Sequence, residues 1–364
     1  MVVLYVFASI VCINCCFYLL FSKFSFQKTP SIGPTTHYPV SIIVCAKNEA
    51  VNLTKNVPYL LEQDYPDYEV ILINDASTDE TLEVIEGFAE RDRRVKVVNV
   101  KNNEAFWGNK KYALTLGIKK AVHHRFLFTD ADCKPASKQW LAHMANQLDH
   151  EKHLVLGYGA YNKEKGWLNK LIRYETLVTA IQYFSYAKAG IPYMGVGRNL
   201  AYTSNLFYEN QGFMAHIQLP SGDDDLFVNK AATSENTALC YSKESFTISE
   251  PKRSFKAWRH QKRRHATTAK HYKPLHKFLL GLHYFANFLF WILFPVCLIF
   301  SRWEIALLLF FVRIGAQYVS YAGAAKKLDE MKLIPLLPAL ELFLVCFQLS
   351  IFISNSNSNP RTWK

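Results

Sequence analysis

Alternating strand and helix signals, four long apolar runs and a buried strand ending in paired carboxylates predict an α/β protein. Its sheet is expected to be mainly parallel, with one transmembrane helix before it and three after it. The chain has 364 residues, half of them hydrophobic, with the apolar content piled up at the two ends. The boundaries read as a membrane helix at 1–22, a sheet domain at 40–250, a basic interfacial segment at 251–277 and three membrane helices within 278–353. The net charge of +12 raises nucleic acid as a partner. The basic residues cluster beside apolar spans, however, and no zinc-finger, homeodomain or RNP pattern occurs, so membrane lipid or phosphate is expected and no nucleic acid.

The stretch 1–21 carries only Asn14 as a strongly polar residue, and about 20 apolar residues suffice to span a bilayer. It has neither the positive start nor the small-residue cleavage site of a secretory signal. Lys23 and Lys28 follow at once, which by the positive-inside rule places the N-terminus outside and the next domain in the cytoplasm of a multi-pass cell-membrane protein. Cys12, Cys15 and Cys16 have a C-x-x-C spacing but no second ligand pair, and all eight cysteines are expected to be reduced thiols. Residues 30–39, rich in Ser, Thr and Pro, read as a linker.

From 40 to 161 the expected strands are 40–46, 68–74, 95–100, 125–129 and 154–160. Helices are expected near 50–62, 78–90, 110–122 and 137–148. No Gly-x-Gly-x-x-Gly or Walker A sequence occurs, which argues against a dinucleotide enzyme and a P-loop ATPase. Residues 167–189 have helical spacing broken by Lys170, Arg173, Glu175 and Lys188; they suit either an amphipathic helix on the membrane surface or a helix packed on the domain. The runs 278–300, 305–325 and 333–353 are each long enough to span, with Lys326, Lys327 and Lys332 inside and a disordered tail at 354–364 outside. Arg313 falls mid-span, roughly 18 Å from the inner end of its helix, and Glu341 roughly 12 Å from the inner end of the next. Because a lone charge is costly in lipid, a direct ion pair between them is expected.

Three of the strand ends carry acidic or amide groups. Lys47-Asn48-Glu49 follows the first strand, Asn74-Asp75-Ala76-Ser77-Thr78-Asp79 the second, and Asp130-Ala131-Asp132 the fourth. Strand C-terminal ends are where open α/β sheets bind ligands. Residues i and i+2 of a strand share a face, so Asp130 and Asp132 can address one hard divalent cation, Mg2+ or Mn2+. The bland alternatives are a solvated turn for the Asp pair and a helix cap at Ser77 or Thr78. Further on come the glycine-containing Tyr193-Met194-Gly195-Val196-Gly197-Arg198-Asn199 and the triplet in Ser221-Gly222-Asp223-Asp224-Asp225, which as a bare triplet reads as a helix start favoured by the dipole. Residues 252–277 hold ten Lys or Arg and no Asp or Glu, a composition usual for a lipid-facing polybasic segment.

Taken together these motifs resemble a family 2 glycosyltransferase with the GT-A fold, in particular the membrane-embedded branch that includes cellulose, chitin and hyaluronan synthases. The resemblance runs from Val40 to about His265. It implies that Asp75 contacts the nucleobase and that Asp130 and Asp132 hold the diphosphate through a metal. It implies nucleotide-sugar contacts also for Asn48, Glu49 and Lys110, the last through its match to Lys-x-x-Ala-Leu. Gly197, Arg198 and Asn199 match an acceptor-side loop. Asp224, supported by Asp223, matches the catalytic base of the Gly-Asp-Asp and Thr-Glu-Asp motifs. Gln261-Lys262-Arg263-Arg264-His265 resembles Gln-x-x-Arg-Trp, which implies nucleotide-sugar contacts for Gln261 and Arg264, the arginine meeting the diphosphate. His265 stands at the acceptor-side position where processive synthases have tryptophan, which leaves both processive and single transfer open.

The expected activity is inverting transfer of a sugar from a nucleoside diphosphate sugar, a UDP-sugar first, to a hydroxyl on a glycan or lipid-linked acceptor. The alternatives are a glycolipid-forming transferase similar to ceramide glucosyltransferase and a non-catalytic nucleotide-sugar-binding subunit working with export partners.

Overall fold

The structure, a computed structural model, describes residues 1–28, 37–101, 110–219 and 221–357. Most of the expected linker and of the expected disordered tail lie outside the described residues. Residues 354–357 do not begin a tail, because they continue the last helix.

Helix α1 (Val2–Ser25) leads to the sheet domain. There β1 (Val40–Ala46), α2 (Ala50–Leu61), β2 (Tyr68–Asp75), α3 (Thr81–Arg91), β3 (Val95–Val100), α4 (Lys110–Lys120) and β4 (Arg125–Asp130) alternate as expected. Strands β1 and β2 are buried along their whole length, because helices cover both faces of a parallel sheet and no alternating polar face is needed. The helix expected from 78 begins later, at Thr81: Asp79 accepts from the Thr81 amide, while Ser77 and Thr78 are turned back onto Asn48 instead of capping.

The strand expected at 154–160 is two. After β5 (Cys133–Pro135) and α5 (Trp140–Ala145), β6 (Leu154–Leu156) joins the main sheet, while β7 (Gly159–Tyr161) joins a smaller one. The chain leaves the main sheet at Gly157, whose amide donates to the Asn199 carbonyl and where a Cβ would meet the Asn199 side chain at 2.5 Å. Next come α6 (Trp167–Lys188), β8 (Leu200–Thr203), α7 (Ser204–Glu209), α8 (Asp225–Ala231), β9 (Thr237–Leu239) and β10 (Thr247–Ser249). Helix α6 buries 13 of its 22 residues and packs between α1, through Phe184 on Phe24, and the sheet domain, where the Tyr183 hydroxyl donates to the Gly157 carbonyl.

The seven-stranded sheet has the order β3-β2-β1-β4-β8-β6-β9, with β8 antiparallel to both neighbours. The three-stranded sheet has the order β5-β10-β7. Pairing Cys45 with Asp130 and Ala46 with Asn74 brings the C-terminal ends of β1, β2 and β4 level, which gathers their polar termini at one edge.

Helix α9 (Phe255–Ala266) precedes α10 (Pro274–Phe300), α11 (Trp303–Lys327) and α12 (Leu337–Asn357). Helices α1, α10 and α11 and the segment Met331–Ser356 are long and apolar enough to cross a membrane. The expected Arg313–Glu341 pair is present and bidentate: Arg313 Nη1 and Nη2 donate to the two Glu341 oxygens, each at 2.7 Å. Gln317 and Trp291 donate to the same carboxylate, at 2.7 and 3.1 Å, and Asn287 accepts from Arg313 at 2.9 Å. All eight cysteines are free.

Candidate active site

A cleft of about 1610 Å3 opens at the polar edge of the sheet and runs down to the apolar helices. Its floor is formed by Glu49, Asp130, Asp132, Asp223 and Asp224, and one wall by Gln261, Arg264 and His265 of α9. The far end reaches Tyr284, Leu344 and Phe347. Sequence segments more than a hundred residues apart therefore converge on one space.

Lys110, at the start of α4, donates to Asp130 Oδ1 at 2.9 Å and lies 2.9 Å from Asp223 Oδ2. These two carboxylates push its pKa well up against the opposing pull of burial, so the ammonium stays charged. Asp130 and Asp132, with Cys133, offer ligand atoms all within 4.8 Å of one another. A hard cation suits the two carboxylates better than the thiol. Cys133 is buried, hydrogen-bonded to Ser249 at 2.9 Å, and burial pushes its pKa well up, which keeps it protonated. Burial and neighbouring Asp130 raise the pKa of Asp132, the signature of a site that takes up positive charge.

The aspartate triplet is divided by its surroundings. Asp223 faces Lys110, which together with Lys111 holds its pKa down despite burial. Asp225 is buried and accepts from the Thr268 and Tyr272 hydroxyls, which fix it to the segment after α9. Asp224 is the N-cap of α8, accepts from the Gly197 amide at 2.7 Å and lines the cleft. Burial first, then Asp223 and Asp225, raise its pKa to about 7. Gly197 packs so closely that a Cβ there would stand 3.3 Å from Asp224 Oδ2.

Other expected positions fall in different places. Arg198 lines the cleft, donates to Ser249 at 3.1 Å, lies over the Tyr161 ring and is held charged against burial with the help of the Asp132 and Asp130 carboxylates; it belongs with them. Asn199 is a correction: it is fully buried, accepting from Trp140 and donating to the Tyr158 and Ser245 carbonyls, so it braces the two sheets and cannot meet an acceptor. Asn48 is outside the cleft lining, with φ of 53°, and its side-chain oxygen accepts from the Thr78 amide at 2.8 Å. Asp75 is buried at the end of β2, beside the strand end that meets Val100, and is also outside that lining. Gln261 Oε1 and Arg264 Nε are buried without protein partners among the described residues, as groups awaiting a ligand would be. The basic segment expected to face lipid instead turns this face of α9 into the cleft.

Sequence reasoning missed Lys111. Its ammonium donates to the carbonyls of His216, Leu219 and Ser221 and so draws in the loop that presents the triplet. Burial lowers its pKa to about 8. It missed Glu175 and Gln182 of α6 as well, which line the cleft; their signal was polar residues on an otherwise apolar helix.

Residues 41–209 match the family described as Glycosyl transferase family 2. The chain is 31% identical over 122 residues, 34% of its length and 36% of the relative's, to an uncharacterized glycosyltransferase of Haemophilus influenzae. It is 30% identical over 143 residues, 38% of its length and 36% of the relative's, to the 4,4'-diaponeurosporenoate glycosyltransferase of Staphylococcus aureus. The matched stretches thus span only about a third of these curated relatives. Among solved structures, a mannosyltransferase of Pyrobaculum calidifontis, in complex with GDP-Man and Mn2+, superposes with a TM-score of 0.59 at 20% identity, covering 94% of this chain and 98% of that one. This likeness extends the shared GT-A fold over nearly the whole chain. Over residues 41–209 the chain is thus similar to the family described as Glycosyl transferase family 2.

Proposed function

We propose that the chain is a membrane-embedded, inverting glycosyltransferase whose sheet domain lies in the cytoplasm and which passes a sugar from a nucleoside diphosphate sugar, a UDP-sugar first, to an acceptor hydroxyl. The observation that carries this reading is Asp224: a half-buried carboxylate with a pKa near 7, held by the Gly197 amide in the same cleft as Asp130, Asp132 and Arg264. A base whose pKa matches the working pH is both available and strong enough to take a proton from a hydroxyl. Asp224 takes the acceptor proton on its cleft-facing carboxylate as the hydroxyl oxygen attacks the anomeric carbon opposite the departing diphosphate. Asp223 stays ionised on Lys110 and keeps the local field negative, while Arg264 and Gln261 orient the diphosphate. Asp132 and Asp130 would hold Mg2+ or Mn2+, which when bound neutralises charge on the leaving diphosphate.

Between a glycan and a lipid-linked acceptor, the apolar end of the cleft at Leu344 and Phe347 favours the lipid-linked one. The complete acidic set speaks against a non-catalytic subunit serving export partners. Detergent-purified protein incubated with Mg2+ or Mn2+ and a panel of nucleotide sugars, scored for released diphosphate and for lipid-linked against polymeric product, tests this. Turnover of one donor onto lipid is expected, and failure to turn over any nucleotide sugar would reject the reading.

A further inference from the structure

We propose that the segment Met331–Asn357 does not cross the bilayer but re-enters it from the side of the sheet domain, so that Ser354 and Asn355 end on the same side as the cleft. The proposal rests on the membrane-embedded reading above. It departs from the span expected at 333–353, and it starts from the direction in which α12 runs.

A last span entering from the domain side would run parallel to α10, which leaves the domain at Pro274. The contacts run the other way. Glu341 meets Trp291, Val345 meets the Tyr284 hydroxyl, and Phe347 stacks on Trp258 of α9 with ring centroids 4.2 Å apart. Each turn of α12 thus moves back along α10 toward its start. From Glu341 to Asn355 the helix covers about 21 Å, most of the roughly 26 Å from Trp291 back to Pro274 on α10.

Both ends of the segment are tied to the domain side. At the entry, Asp329 pairs with Lys163 and Lys243, and Glu330 with Arg173 of α6. At the exit, Arg259 donates to Ser354 Oγ, and Arg263 donates to Asn355 Oδ1 at 2.9 Å and the Ser354 carbonyl at 3.1 Å. Helix α9 cannot follow α12 across a membrane. It carries Lys256, Arg259, Lys262, Arg263 and Arg264, is only about 18 Å long against a hydrocarbon core of about 30 Å, and ends two residues before Thr268, which is bonded to Asp225. By contrast the far ends of the other three helices meet one another, through Cys297 on the Val3 carbonyl and the stack of Phe294 on Phe310.

The dip-and-return geometry explains why the segment begins with the 3-10 turn Met331–Leu336, which contains Pro335, before the helix proper. It also assigns a partner to the outward face of α12. Phe352, 71% exposed, and Ile353 project from the returning half into the leaflet on the domain side, where lipid covers them.

Single cysteines placed by Asn205→Cys on the domain surface, Arg302→Cys between α10 and α11, and Ser356→Cys at the end of α12 distinguish the arrangements. Each variant is treated with a membrane-impermeant maleimide in sealed vesicles of known sidedness, with the unmodified chain as background. Ser356→Cys and Asn205→Cys should react from one side and Arg302→Cys only from the other. Reaction of Ser356→Cys from the Arg302→Cys side, or from neither side until detergent is added, overturns the proposal. If Arg302→Cys reacted from the Asn205→Cys side, the membrane-spanning reading would fall instead.

Discussion

Three adjacent aspartates of one chemical type acquire three characters, because each meets a different neighbour: an ammonium for Asp223, a backbone amide and the open cleft for Asp224, two hydroxyls for Asp225. Asp224→Asn keeps shape and removes basicity, so transfer should fall by at least about 100-fold while nucleotide-sugar binding by calorimetry stays near normal. The active form is the ionised one and the pKa is raised to about 7. Consequently kcat/KM should climb with pH toward a plateau above 7 and drop about ten-fold per unit well below it, a limb that Asp224→Asn should abolish. At the other end of the floor, Asp132→Asn should weaken metal binding; unchanged activity in excess EDTA would refute a metal role there. That Asp224, the carboxylate pair and the α9 residues gather at one cleft was legible in the sequence, because acidic and basic motifs advertise chemistry directly. Asn199 misled because a buried amide that braces backbone carbonyls looks, in a string of letters, like one that greets a substrate. Lys111 stayed hidden for the converse reason: its carbonyl partners have no side-chain signature.

At the level of elements, the loop entering α8 is the most constrained piece of the site. Gly222 has φ of 101°, and a Cβ there would meet Leu226 Cδ1 at 2.5 Å. Gly222→Ala should therefore cost about 1–3 kcal/mol, read as a lowered melting temperature, with a loss of activity as Asp224 is displaced. Lys111→Met should loosen the same loop, removing donors from three carbonyls and raising its proteolytic sensitivity without touching Asp224 itself. Strands β1, β2 and β4 were legible nearly to the residue, since largely apolar runs bounded by polar turns leave little choice of register, and β3 was legible from its valines despite Lys96 and Asn99. The split of 154–160 was not, because it depends on Asn199 closing over Gly157, a contact between segments some forty residues apart in sequence that no local pattern announces. Helix α6 had an ambiguous polarity for a physical reason as well: Arg173 is buried against Glu330, so its charge marks a partner and not a solvent face.

For the molecule as a whole, the Arg313–Glu341 cluster joins α11 to α12, with Asn287 and Trp291 of α10 as added partners. Removing one partner leaves an uncompensated buried charge, so Arg313→Met should destabilise the detergent-solubilised protein by about 3–5 kcal/mol, while the double change Arg313→Met with Glu341→Met should recover most of that loss in a thermal shift measurement. Equal melting temperatures for the single and double variants would show that the pair does not act as a unit.

The stack of Phe347 on Trp258 has a mechanical consequence. Trp258 lies less than two turns from Arg264 on the same short helix, so a displacement of α12 along the membrane normal is passed along α9 to Arg264, which we propose as a diphosphate ligand. Bilayers of different acyl length would press α12 to different depths. On the proposed membrane-embedded reading, turnover should accordingly vary with the chain length of the surrounding lipids, and Trp258→Ala should flatten that dependence, making the ring pair a gauge of bilayer thickness.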